Sequence, residues 1–247
     1  MDVSDFWGIF FGLKFMLEFF KDQPEILAVM SERRDGSMKL LQNSDLNLEN
    51  RKNFFQKFNL IGGKIVSAEI VHGKAVEIVN GKSPELIFGA DGLVTKDKKV
   101  FLTVTVADCI PVYFWEPAQK IVAVVHCGWR GILSGVIENA LVKIVALGGQ
   151  PEKLKVALGP GLNACHFEIK EDVLGEFSKH PEAISNRGGK IFVDLKSILR
   201  KQLLALGVET QSITSDNTCT FENENYFSFR RDKSVTVEAM VAIIGLK

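Results

Sequence analysis

His72, Cys109 and His126 of this 247-residue chain fall in short, turn-rich segments beside apolar runs: Val71-His72-Gly73, Ala107-Asp108-Cys109 and Val125-His126-Cys127-Gly128-Trp129-Arg130-Gly131. Three soft donors at strand ends point to one metal site. A single sulfur with two imidazoles suits zinc, and three protein ligands leave the fourth tetrahedral position open, as in catalytic rather than closed structural sites. The alternative for the same residues is a loop histidine at 72, a buried small hydrophobe at 109 and a hydrogen-bonded core histidine at 126. Spacing does not choose between the two, because the gaps match neither C-x-x-C nor H-E-x-x-H.

The elements that must position these groups are apolar runs punctuated by turn residues. Residues 64–71 read as a strand whose end presents His72, after a helical stretch at 50–60 and the Gly62-Gly63 break. Residues 100–106 and 121–125 are β-rich, with Cys109 and His126 just beyond their C-terminal ends. Residues 132–147 carry apolar side chains at helical spacing and stop at Gly148-Gly149, which makes 128–131 a strand-to-helix turn. Such a turn offers free backbone N–H groups to an anion, and Arg130 sits in it. Upstream, the strand 26–30 runs into a polar turn that places Arg33 and Arg34 toward a cleft. A further strand is expected at 155–158, strand-like alternation at 226–229 and helices at 169–177 and 195–206, and the last third also holds the segment 208–214, a turn region at 216–221 and the apolar run 235–244. Gly159-Pro160-Gly161 is a turn, since no G-x-x-x-x-G-K-[ST] phosphate loop occurs. With no internal repeat or low-complexity linker, residues 26–247 read as one domain of mixed strands and helices, preceded by an apolar extension or arm at 1–25.

Composition narrows the partners. Thirty Lys and Arg balance thirty Asp and Glu, and the basic residues are spread along the chain. Neither nucleic-acid binding nor attraction to an anionic membrane follows, and no assembly state is implied; compact substrates are favoured. Nothing resembling a secretory signal precedes the cysteines at 109, 127, 165 and 219, and a chain with 46% hydrophobic residues needs no staples, so the thiols read as reduced and the protein as cytoplasmic. The apolar stretch 6–20 contains Lys14 and Glu18 and falls short of the roughly 20 residues needed to span a bilayer. A buried helix or an amphipathic arm is expected there, with an extension foreign to the domain as the alternative.

In this order, His72-Gly73, Ala90-Asp91-Gly92-Leu93-Val94-Thr95, Ala107-Asp108-Cys109-Ile110-Pro111-Val112, His126-Cys127-Gly128-Trp129-Arg130-Gly131, Gly159-Pro160-Gly161 and Phe227-Ser228-Phe229-Arg230-Arg231-Asp232 resemble the multicopper polyphenol oxidase, or laccase-domain, family. That family is better described as purine nucleoside phosphorylases. The resemblance runs from about Ser31 to the C-terminus. It implies that His72, Cys109 and His126 bind one catalytic zinc per chain. It also implies phosphorolysis of adenosine, inosine, guanosine and 5′-methylthioadenosine, with adenosine deamination as a further activity. The fold it implies is α+β, a single-domain mixed β-sandwich flanked by helices like the catalytic domain of cytotoxic necrotizing factor. The older laccase label implies copper, which is disfavoured because three ligands with no further histidine cluster cannot build multiple copper centres.

Three departures from the family pattern stand out. Cys127 replaces the usual alanine after the histidine and sets a second thiol beside the site. Asp45-Leu46-Asn47-Leu48 resembles the family's S-L-N-L with Asp45 in place of the serine, so the resemblance implies a role near substrate for Asn47 and none for position 45. Thr236-Val237-Glu238 follows where T-G-R is common. For the implied chemistry, Arg130 is expected to bind phosphate with help from Arg33 or Arg231, and Asp108 to shuttle a proton or fix an imidazole tautomer. Trp129 reads as packing or as a stacking surface for a purine. Phe227 and Phe229 read as core, Cys165 and Cys219 as structural thiols, His166 and His180 as surface histidines, and Glu168 as a surface residue that could reach the cleft. Two other readings compete: a thiol hydrolase or amidase with Cys109 activated by His126, and a zinc-stabilised binding module with a fourth protein ligand. The zinc-deaminase pattern H-x-E with P-C-x-x-C is absent.

Overall fold

The computed structural model describes residues 17–40, 45–60 and 62–247. Its frame is two six-stranded sheets packed face to face. The first contains β1 (Leu17–Glu18), β2 (Ile26–Met30), β3 (Lys64–Ala68), β5 (Leu86–Ile87), β7 (Val100–Val106) and β15 (Met240–Leu246), in the order β1-β2-β15-β7-β3-β5. The second contains β4 (Val76–Ile78), β6 (Gly92–Thr95), β8 (Ile110–Glu116), β9 (Ile121–Cys127), β10 (Lys155–Leu158) and β14 (Ile213–Ser215), in the order β14-β10-β8-β9-β6-β4. Alternation along each strand sorts the side chains. Ala28, Met30, Leu102, Val104 and Ala242 of the first sheet meet Leu93, Tyr113, Trp115, Val122 and Val124 of the second in the layer between them. Tyr113 donates its hydroxyl to the Val29 carbonyl across that layer at 3.1 Å, so its buried oxygen is satisfied.

Helices cover both outer faces. Phe54 of α1 (Asp45–Gln56) packs on Leu27, Val29, Phe101, Val241 and Ile243. On the other side α2 (Trp129–Ser134) and α3 (Val136–Ala146) lie on the second sheet, together with the later helix Leu195–Ala205. The protein is thus a single α+β domain, a β-sandwich flanked by helices, as expected. A three-stranded sheet, β11 (Glu168–Ile169), β13 (Lys190–Val193) and β12 (Ile184–Arg187), is appended beside it.

Several elements differ from the sequence reading. β9 runs to Cys127, so His126 lies on the strand, paired with Pro111, rather than beyond it. The helix expected at 132–147 is broken at Gly135, which takes a left-handed φ of 95°. Residues 226–229 form no strand; a short helix starts at Phe229, whose side chain is 56% exposed rather than core, while Phe227 is buried. The helix expected at 169–177 is a strand end followed by two short helical turns. Most of the apolar 6–20 stretch lies outside the described residues, but Leu17–Glu18 is a strand antiparallel to β2. Among the described residues no helix is long and apolar enough to cross a membrane.

Candidate active site

Each candidate ligand sits where the chain passes between the sheets or ends a strand. His72 follows β3 on the way to β4, Cys109 turns the chain from β7 to β8, and His126 ends β9. Their donor atoms all lie within 4.8 Å of one another, with His72 exposed, Cys109 half-buried and His126 buried. The two imidazole rings meet edge to face at 4.9 Å between centroids.

One carboxylate organises the group. Asp91, fully buried before β6, accepts the backbone N–H of His72 at 2.9 Å on one oxygen and that of Gly73 at 2.7 Å on the other. It also takes Nδ1 of His126 at 2.9 Å. This leaves Nε2 of His126 for a metal, the usual arrangement of a carboxylate behind a ligating imidazole. His72 takes a left-handed φ of 58°, held by the two bonds to Asp91. In sequence Asp91 reads only as a turn residue, and Asp108 is expected either to shuttle a proton or to hold an imidazole in one tautomer. The imidazole-holding role belongs to Asp91.

Asp108 instead ties the Cys109 turn to the C-terminal loop. Its carboxylate accepts the Thr220 hydroxyl at 2.6 Å and the Arg230 backbone N–H at 2.7 Å, and its own φ is 80°. Cys127 points away from the triad into the core under the helices, and burial raises its thiol well above the ordinary range. Cys109 is therefore the sulfur that the fold sets between the two histidines.

The glycines of the H-x-G-W-R-G segment make room for this cluster. A Cβ on Gly128 would lie 3.1 Å from the Cys109 sulfur and 3.3 Å from the His72 ring. A Cβ on Gly131 would lie 2.6 Å from the Gly73 carbonyl, so α2 approaches the His72 turn backbone to backbone.

Electrostatics favour a charged donor set. Burial opposes ionisation of Cys109, but His126 and His72 more than offset it and bring the thiol to about 6. Burial likewise opposes protonation of His126, while the Cys109 thiolate and Asp91 outweigh it and lift the imidazole to about 9. In metal-free protein the alkylation rate of Cys109 by iodoacetamide is therefore expected to rise through about pH 6, not through the ordinary thiol range, and added zinc should suppress it. Peptide mapping of the modified cysteine against pH checks this; a midpoint above pH 8 contradicts it.

A cleft of about 470 Å³ begins at Trp129, next in the chain to Gly128, and is lined by Arg130, Phe167, Glu168, Lys170 and Arg230 among others. Arg130 is exposed, with its guanidinium 4.2 Å above the Trp129 ring. Glu168 lies on the cleft and pairs with Lys190 at 2.9 Å.

The other predicted substrate residues stand elsewhere. Arg231 directs its guanidinium to the carbonyls of Thr220, Phe221, Asn223 and Tyr226 and to Asp232, which uses every N–H it has. Arg33 pairs with Asp232 and lies over Phe227. Both arginines build the C-terminal loop and leave Arg230, which the sequence reading passed over, to face the cleft. Asn47 sits on α1 and donates to the Lys39 carbonyl at 3.2 Å. On the same helix buried Arg51 holds Met38, Ser67 and Thr103.

Residues 37–247 match the family model described as multi-copper polyphenol oxidoreductase laccase. The chain is 34% identical over 240 residues to a protein of Shigella flexneri named purine nucleoside phosphorylase YfiH, covering 90% of this chain and 95% of that one. The protein of the same name from Escherichia coli is also 34% identical, over 91% of this chain and 96% of its own length. The crystal structure of YlmD from Geobacillus stearothermophilus superposes with a TM-score of 0.82 at 27% identity, covering 91% of this chain and 93% of that one. A Bacillus licheniformis hypothetical protein YfiH has the same fold, with a TM-score of 0.85 at 24% identity over 94% of this chain and 96% of that one. On this match of family model and relatives, the chain belongs to the multi-copper polyphenol oxidoreductase laccase family.

Proposed function

We propose that this protein is a zinc-dependent purine nucleoside phosphorylase, acting on adenosine, inosine, guanosine and 5′-methylthioadenosine, with adenosine deamination as a side activity. The observation that carries the reading is the His72, Cys109 and His126 triad, braced by Asp91, beside a cationic and aromatic cleft. The names of the Shigella and Escherichia relatives support the reaction class. Copper fits the donors poorly: the chain has four histidines, too few for the several imidazole-rich centres that oxygen reduction requires.

His72, Cys109 and His126 would hold the zinc, which when bound supplies Lewis-acid polarisation at its open position. The remaining work falls to side chains of the cleft. Arg130, Lys170 and Arg230 provide positive charge for phosphate, and the Trp129 and Phe167 rings provide flat surfaces for a purine. Asp91 keeps the Nδ1 proton of His126 in place and the His72 turn fixed. As the glycosidic bond breaks, negative charge builds on the departing base and positive charge on the ribose while anionic phosphate approaches C1′, so prearranged charge carries most of the catalysis.

The test is release of free base from adenosine and inosine, with and without phosphate, together with ammonia release from adenosine and metal content. Base release that requires phosphate and stops on chelation supports the reading. Turnover that ignores phosphate and survives metal removal, but needs Cys109, supports the thiol-hydrolase alternative, which the Cys109 and His126 charge pair favours. Under that alternative His72 is dispensable.

Removing one cleft cation should act on phosphate binding. Arg230→Ala and Lys170→Ala are each expected to raise the KM for phosphate about 10-fold, with a smaller change in kcat. Initial rates over a phosphate series decide it. An unchanged KM in both variants would move the phosphate site out of this cleft.

A further inference from the structure

A second group of metal-type donors lies outside the triad. Cys165, His166, Cys219 and Glu222 each offer one donor atom, and these four atoms also lie within 4.8 Å of one another. They come from two loops. Cys165 and His166 turn after β10, where the His166 and Phe167 N–H groups both donate to the Asn163 carbonyl at 2.9 Å. Cys219 and Glu222 turn after β14, where the Glu222 and Asn223 N–H groups donate to the Cys219 carbonyl and bring the thiol and carboxylate together. The loops are already joined: Gly161 bridges Cys219, Thr220 N–H donates to the Gly161 carbonyl at 3.1 Å, and Asn163 reaches the Asn217 carbonyl at 2.7 Å.

From these donors we infer a second, structural zinc site formed by Cys165, His166, Cys219 and Glu222. Zinc bonds of about 2.3 Å to sulfur and about 2.0 Å to nitrogen or oxygen set tetrahedral donor separations of about 3.3–3.8 Å. Nδ1 of His166 lies 3.8 Å from the Cys219 sulfur and 3.6 Å from a Glu222 oxygen, already at that spacing. The His166 ring is stacked on Phe221 at 4.2 Å and 17°, which fixes where Nδ1 points. Both cysteines are free thiols. Two thiols, an imidazole and a carboxylate gathered within 4.8 Å select zinc over hard cations. Binding forms two Zn–S bonds, one Zn–N bond and one Zn–O bond, and the two thiol protons leave to solvent.

Four protein donors close the coordination sphere, so the site holds structure rather than substrate. It clips the 159–167 loop to the 216–223 loop. The second loop carries Thr220, whose hydroxyl anchors Asp108 beside Cys109, and its carbonyls receive Arg231. The zinc therefore steadies the wall of the active-site cleft without lying in it. In sequence Cys165 and Cys219 read as structural thiols and His166 as a surface histidine; the fold brings their two loops together.

The test counts zinc in the full-length protein, purified reduced and desalted after zinc loading. Two zinc ions per chain are expected in the wild type. One is expected in Cys165→Ser, Cys219→Ser and Glu222→Ala, the last an exposed position where a folding defect is not at issue. Cys109→Ala should also hold one, at the clip, so failure of the triad and failure of the clip read out separately. Zinc should protect Cys165 and Cys219 of the wild type from alkylation, as seen by peptide mapping. The inference is overturned by a wild type that binds one zinc lost in Cys109→Ala, by a second zinc indifferent to all three clip variants, or by a Cys165 to Cys219 disulfide in reduced preparations.

Discussion

Cys109→Ala is expected to abolish phosphate-dependent base release, by on the order of 10³-fold or more, and to remove the zinc of the triad. Two imidazoles alone leave a low-affinity site, and the lost thiolate is the donor that offsets the charge of His126. Asp91→Asn should produce a graded version of this loss. The amide has nearly the same volume, but one of its two terminal atoms is a donor and cannot accept both the Gly73 N–H and the His126 ring as the carboxylate does. Zinc affinity should fall by about 10–100-fold, and activity should recover in part at saturating zinc. Cys109→Ala should not recover. The pair is checked by zinc titration against a competing chelator alongside kcat/KM at low and high zinc. An Asp91→Asn enzyme with wild-type zinc affinity would remove the carboxylate from the account of the site.

The three donors stand out in sequence because they are rare and lie beside apolar runs, but their spacing leaves a metal site and three unrelated residues equally open, and the family resemblance supplies the choice. Less legible were groups whose roles depend on chain crossings. Asp91 is one acid in a turn until the fold brings it to His126, 35 positions away. Arg33 and Arg231 carry the right charge for phosphate, but their partners are Asp232 and carbonyls of a loop that folds back on itself, a pairing no local pattern announces. Arg230 differs from Arg231 only in facing Phe167 and the cleft, because the short helix at Phe229 turns adjacent side chains apart. β8 is buried along its whole length and shows no alternation to mark it as a strand. The layered architecture came from the family resemblance; the apolar runs and the helix period of residues 132–147 gave only a mixture of strands and helices, a pattern that survives the break at Gly135.

Gly131→Ala should damage the site about as much as loss of the Asp91 carboxylate, although it adds one methyl and touches no donor. The Cβ would stand 2.6 Å from the Gly73 carbonyl, closer than carbon and oxygen approach, and both partners are backbone. No rotamer change relieves the contact, so either α2 lifts from the second sheet or the His72 turn moves. Lifting α2 strips Ile132 from a fully buried position. The turn is the softer partner: His72 is exposed, and the His72 and Gly73 N–H groups each donate one hydrogen bond to Asp91. Movement there carries the imidazole away from Cys109 and His126. The expected outcome is a loss of about 1–3 kcal/mol in unfolding free energy together with zinc affinity lower by about 10-fold or more. Gly175→Ala is the matched control, since nothing lies within 4 Å of its added Cβ and its φ of −58° suits alanine. Denaturant unfolding and zinc titration of the two variants decide the matter. If Gly131→Ala binds zinc as tightly as Gly175→Ala, the close approach of α2 does not set the position of His72.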